Sequence, residues 1–317
     1  MALQSDHSAW VKQTLEEYLR TIVITLALLG TGMALQRVKV ARPFFRFVDK
    51  LVILVLLPAV VFGSIAWQTP TKILGAAIPL AFIGLGVCLV PLLFVAGSMR
   101  FDKKESTAII LNSAFMNVTY LGLPLVYILG GDMGPASLYA MAIGIMHLTF
   151  GLVLLNSAAK KKTSLRKIVL GVLTFPAAFV LIVALLFAFL GPPPYSLKPA
   201  FDYLSKPSFV LMLLYVGYKL PLINPRKYLG PLTVVGIFRF AVCPLVTYLG
   251  ILAFGLELTG LTAKPALIMA AMPPAVFNIV LAHEFKQDLK LYGTIVLYLT
   301  IVSLFVALPL MMYILGF

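Results

Sequence analysis

Apolar runs of about twenty residues recur along the whole chain, separated by short stretches of Lys, Arg, Pro and Gly. No other feature constrains the fold so strongly. Inside a hydrocarbon layer every backbone N–H and C=O must be bonded internally, so only helices and closed barrels span it. Runs of this length match helices, which need about 20 residues to cross. Only 11 % of the 317 residues are charged, and the mean hydropathy is +1.03. So few charges cannot cover a water-soluble surface, where roughly a quarter of residues are charged. The expected fold class is therefore an all-α integral membrane protein.

Reading apolar runs between their punctuation gives ten candidate spans at residues 18–36, 48–67, 72–97, 105–130, 135–157, 167–190, 205–222, 230–256, 264–284 and 289–315. Glu16 and Glu17 stand just before the first run, where a cleavable signal peptide would place basic residues. The net charge is +14. Its Lys and Arg sit in short loops and no nucleic-acid motif accompanies them, so the excess is read as topology and attraction of anions. The odd-numbered loops hold eighteen Lys and Arg against six on the other side. That asymmetry puts the odd loops in the cytoplasm and both termini outside a plasma or inner membrane.

Ten spans with a basic cytoplasmic loop at 158–167 divide the chain into halves 1–157 and 168–317, the second inverted relative to the first. Local features agree. Pro79 and Pro91 in the third span match Pro231 and Pro244 in the eighth, with Cys88 and Cys243 preceding the second proline of each pair. Pro58 matches Pro207, and Asn117 matches Asn278. Interrupted helices at matching positions of an inverted repeat point to a binding site at mid-membrane.

The fourth span reads LNSAFMNVTYLGLP from Leu111 to Pro124. Pro124 removes a backbone donor and clashes with the carbonyl four residues earlier, so a break is expected near Tyr120. Asn112, Ser113 and Asn117 supply polar groups beside it, with Asn117 placed to cap the following half-helix or meet a solute. In the ninth span, Met272-Pro273-Pro274-Ala275-Val276-Phe277-Asn278 carries a Pro-Pro pair. A half-helix after that pair would offer unpaired N–H groups and a positive dipole end, suited to a carboxylate. The plainer alternative is that these prolines only kink the helices and the asparagines bond neighbouring helices.

His147 falls about twelve residues into the fifth span, near 18 Å deep at about 1.5 Å per residue. It is read as a proton carrier or substrate contact, or else as a neutral histidine bonded to a neighbour. Arg239 can neutralise a substrate anion, pair with the ninth-span region, or snorkel to the cytoplasmic face. His283 and Glu284 are placed at an interface and Asp132 in a turn. Cys88 and Cys243 are read as small buried apolar residues. Three histidines and two cysteines do not make a metal site of the usual kind, and no metal or cofactor is expected.

Asn117 to Pro124, Met272 to Ala282, and Leu57-Pro58-Ala59-Val60-Val61-Phe62 resemble the fourth-, ninth- and second-helix segments of the auxin efflux carrier family, which carries small organic anions. The similarity runs in order over all ten spans. It implies broken helices 4 and 9 crossing near the membrane centre, a scaffold of helices 1, 2, 6 and 7 that dimerises, and a transport unit of helices 3–5 and 8–10 that moves as an elevator. The substrate carboxylate would lie at the crossover by Asn112, Asn117 and Asn278. Val118 and Val61 stand where relatives carry polar residues, which argues against auxin itself as the cargo.

The resulting expectation is a secondary or facilitative transporter of small carboxylates, with the lipid bilayer and a second copy of the chain as partners. A sodium-coupled bile-acid-type symporter is the nearest rival, though it calls for more acidic or amide ligands near the break. A membrane-embedded enzyme or receptor is further off, because HExxH, GxSxG, paired intramembrane aspartates and a sensor domain are all missing from the sequence.

Overall fold

The computed structural model describes residues 2–98, 101–159, 164–221, 223–258 and 260–315. Arg100 and Lys160 to Lys162, counted above for the cytoplasmic side, lie outside the described residues, as does the middle of the basic loop at 158–167. Among the described residues the regular structure is entirely helical, and a single isolated antiparallel bridge joins Met116 to Pro274.

In chain order the helices are α1 (Ala2–Leu35), α2 (Ala41–Ile65), α3 (Pro70–Ser98), α4 (Lys103–Ala114), α5 (Val118–Ile128), α6 (Met133–Ala158), α7 (Leu165–Leu173), α8 (Pro176–Leu190), α9 (Lys198–Lys219), α10 (Pro225–Ala253), α11 (Ala263–Ala270), α12 (Phe277–Glu284) and α13 (Leu289–Tyr313). Five stretches are long and apolar enough to cross a membrane: α2, Pro70–Pro91 of α3, α6, α10 and α13. Leu19–Leu35 of α1, α5 and α8 are shorter apolar helices. Asp102, Asp132 and Asp288 each cap a helix start by accepting backbone amides, those of Lys104 and Glu105, Gly134, and Lys290 and Leu291. These bonds satisfy donors that a helix start leaves orphaned. Asp132, read above as a turn residue, thus starts α6.

The prolines act differently from the expectation. Among the described residues five π-turns interrupt the helices, at Val52–Leu56, Val118–Gly122, His147–Gly151, Phe238–Val242 and Ser303–Ala307. Four of them end two residues before a proline, namely Pro58, Pro124, Pro244 and Pro309. A proline cannot bond the carbonyl four residues back, and its ring crowds that carbonyl. One widened turn of i→i−5 bonds relieves the crowding and keeps the chain helical, as a non-aqueous setting demands. Pro124 therefore widens its span without breaking it.

The fourth break lies upstream of Pro124, whereas the ninth falls on the expected Pro273-Pro274 pair. The fourth span opens between α4 and α5, where Phe115 is extended at φ −108°, ψ 110° and Asn117 sits at φ −80°, ψ 59°. The ninth opens between α11 and α12, at residues 271–276.

Two groups of helices pack among themselves. Helices α1, α2, α8 and α9 form one, and α3, α4, α6, α10 and α13 the other. In the first, α1 and α9 meet almost backbone to backbone: a Cβ at Gly217 would run into the Leu29 backbone, and one at Gly32 into the Leu214 carbonyl. Gln36 ties the same joint by donating to the carbonyls of Gly217 and Leu220 at 3.1 and 2.7 Å. The groups touch along a seam where α2 meets α6 and α9 meets α5.

Candidate functional site

The two breaks meet and repair each other. Asn117 donates its amide to the Pro273 carbonyl at 2.8 Å, and Ala275 donates to the Phe115 carbonyl at 2.9 Å. Backbone groups lost from both helices are thus regained across the bridge, as burial requires. Side chains lock the crossing. Asn278 Nδ2 donates to Asn112 Oδ1 at 3.0 Å and, more weakly, to the Leu111 carbonyl at 3.5 Å, while Asn112 Nδ2 donates to the Ala108 carbonyl at 2.8 Å.

Helices ending in mid-protein leave carbonyls without partners, and Arg239 answers this need. It is fully buried. Its Nη1 donates to the Ser113 carbonyl at 3.2 Å, Nη2 to the carbonyls of Ala270 and Met272 at 3.0 and 3.1 Å, and Nε to Met272 at 3.2 Å. Nη2 also meets Met116 Sδ at 3.5 Å. The cation therefore closes the negative C-terminal ends of both α4 and α11. Ser303 adds a 2.6 Å bond to the Ala271 carbonyl. The thiols of Cys243 and Cys88 lie 3.7 Å from the carbonyls of Ser113 and Ala114. Of the three roles open to Arg239 in the sequence, the structure assigns pairing with the ninth-span region. It neither snorkels nor lines the cavity described next.

A cavity lies at the seam, between α2, the start of α5, α6, the chain before α8 and the second break. Its wall includes Ile53 and Leu57 of α2, Met116 to Tyr120, Met141, His147, Phe175, Ala275 and Phe277. Asn117 and His147 line it as the sequence suggests. Asn112, Ser113, Asn278, Pro124, Pro273 and Pro274 do not; they build the crossing beside it.

The polar groups here are under-used. Asn117 does not cap α5 with its side chain. Its Nδ2 and Ser113 Oγ are buried without a partner, while His147 Nε2 and Asn278 Oδ1, each short of a hydrogen bond of good geometry, face each other as donor and acceptor. Each such atom costs about 1–3 kcal/mol unless something bonds it. His147 is fixed by aromatic contacts, stacked on Phe115 at 4.2 Å and edge-on to Phe277 at 5.4 Å. Among the described residues no backbone carbonyl accepts from the amides of Thr119, Tyr120, Val276 or Phe277. These are the first turns of α5 and α12, where orphan amides and the helix dipole favour negative charge. The wall carries no Lys or Arg. The site thus offers neutral donors and apolar contact to a small solute, and no nucleophile with an adjacent base.

Asp49 and Tyr120 escaped the sequence reading. Tyr120 directs its hydroxyl to Asp49 Oδ1 at 3.4 Å and stacks on Tyr215 at 5.2 Å. The available signal was an acid two turns inside what the structure shows to be a 25-residue apolar helix; placing the span start at 48 hid it at a boundary.

Helices long enough to cross a membrane, with mid-protein breaks beside a cavity, define a multi-pass membrane protein that handles a solute. The family model described as membrane transport protein matches residues 18–312, and the chain belongs to this auxin efflux carrier family. It is a membrane transporter and not an enzyme. It is also similar to an uncharacterized transporter of Methanothermobacter thermautotrophicus, at 26 % identity over 211 residues covering 66 % of this chain and 68 % of that protein.

Proposed function

We propose that this transporter moves a small organic anion, a carboxylate, through the seam cavity by alternating access of the elevator type. One observation carries the reading: buried, unpartnered side-chain groups and orphan amides converge at the bridged crossover while its one buried cation is spent on backbone carbonyls. Neutral donors and half-helix starts recognise a negative group without a fixed counter-charge. On this reading the halves 1–157 and 168–317 are inverted five-span repeats. The antiparallel sense of the Met116–Pro274 bridge supports that, as do the π-turns starting at His147 and Ser303, separated by nearly the same interval as the bridged residues. Spans 1, 2, 6 and 7 would be the scaffold and the dimer surface, in a plasma or inner membrane with both termini outside. Spans 3–5 and 8–10 would be the moving unit. The two packing groups and the cavity at their seam support that division.

Sodium coupling of the bile-acid type has less support. Carbonyls at the helix ends, which a sodium ion would use, are taken by Arg239, Ser303 and the cysteine thiols. The test is uptake of labelled benzoate and succinate into proteoliposomes. Asn117→Ala and Asn278→Ala should each cut uptake at least tenfold while the purified protein keeps its melting temperature within a few degrees. Uptake equal to that of the parent in both variants removes the crossover as the anion site.

A further inference from the structure

We propose that Asp49 is the proton-binding group of this carrier, coupled to the anion through the wall of the seam cavity. The inference rests on the cavity being the anion site, and it names the co-substrate of that site. Asp49 lies within the apolar helix α2, half-buried, one helical turn before Ile53, which lines the cavity. Residues four apart share a helix face, so the carboxylate sits just beside the cavity wall. Tyr120, itself a lining residue from α5, points its hydroxyl at Oδ1. Tyr215 of α9, stacked on Tyr120, faces the same carboxylate.

No ion pair to Asp49 is present among the described residues. The remaining charged or titratable groups near it are Tyr218 beside Tyr215, Lys219 with Nζ 5.3 Å over the Tyr215 ring, and Arg46 and Lys50 exposed on its own helix. The other acidic side chains whose bonds are described, Asp102, Asp132 and Asp288, are spent as helix caps. Asp49 alone is bonded to a cavity-lining group.

A carboxylate beside a pocket of low polarity repels an anion entering it. Protonating Asp49 removes that repulsion, and by linkage a bound anion favours the protonated form equally. Proton and anion then occupy the site together. The step involves no bond change beyond one O–H formed on Asp49 from a solvent proton as the anion binds and broken, with the proton returned to solvent, as the anion leaves. An intramembrane acid is a functional group by default; here its cavity contact says which function.

The test uses the purified full-length protein with labelled benzoate as the probe. Parent affinity should rise roughly tenfold as the pH is lowered, the effect of one unit of linkage. Asp49→Asn, a neutral mimic of the protonated group, should bind benzoate with the acid-form affinity at every pH. A second readout needs no transport. Infrared pH-difference spectra should show a carboxyl C=O band that Asp49→Asn removes and that added benzoate shifts to higher pH. An Asp49→Asn profile with the parent's full pH dependence overturns the proposal, and loss of that dependence in His147→Gln would then move the proton site to His147. An Asp49 band that titrates but ignores benzoate also overturns the coupling. Failure of the crossover as the anion site reads out separately, as unaltered benzoate affinity in Asn117→Ala.

Discussion

Arg239 is the most consequential single residue, because its five donors sit against two helix ends that have no other charged partner. Replacing it with methionine keeps the bulk and abandons the carbonyls of Ser113, Ala270 and Met272. Hydrogen bonds to charged groups contribute about 1.5–3 kcal/mol each, so a loss on the order of 3 kcal/mol or more is expected for Arg239→Met. Arg239→Lys keeps the charge without the planar fork and should recover only part of it. Thermal unfolding in detergent checks the order parent, Lys, Met; a Met variant as stable as the parent would show that the carbonyls find other partners. The sequence marked Arg239 as important by its position inside a span but could not choose its role. That choice depends on carbonyls from two distant helices, which no local pattern reveals. Asn117 was marked as an amide in an apolar run a few residues ahead of Gly122 and Pro124, and the structure places it in the cavity wall.

At the level of elements, prolines were the best sequence signal and also the most misleading one. They marked the fourth and ninth spans correctly as irregular. They misplaced the fourth break, because a π-turn absorbs Pro124 and the extended residues lie upstream at Phe115 to Asn117. What opens the helix there is the opportunity to bond Pro273 and Ala275 across the crossing, a long-range gain invisible to local propensity. Pro124 still matters for geometry. With Pro124→Ala the missing donor returns, and Val118–Gly122 can tighten into an ordinary α-turn. One residue of rotation is about 100°, which would swing Thr119 and Tyr120 relative to the cavity. Benzoate affinity is expected to fall at least fivefold with the melting temperature unchanged or raised; unchanged affinity would mean that the π-turn persists without its proline.

For the whole molecule, composition alone established the membrane setting, and most helix boundaries followed from charge and turn residues to within several positions; α1 begins well before the expected start at 18, and the expected span 167–190 is divided between α7 and α8. The grouping of helices was not readable, since apolar faces against lipid and against protein look alike in sequence. Small residues carry that information in the structure. Gly32 and Gly217 let α1 and α9 approach more closely than side chains allow. Gly217→Ala should force the pair apart and cost about 1–3 kcal/mol, read as a lower melting temperature. The same change at Gly30, where a Cβ meets nothing within 4 Å, should leave it unaltered.

The bridge between Met116 and Pro274 also bears on how the chain matures. Phe115 and Asn117 emerge from the ribosome with backbone groups that only residues 273 and 275 can bond. At about 5–20 residues per second, the first partner waits on the order of ten seconds or more for the second. During that interval the early segment must shelter in the insertion machinery or borrow water and lipid headgroups, so biogenesis of this carrier closes at its centre last.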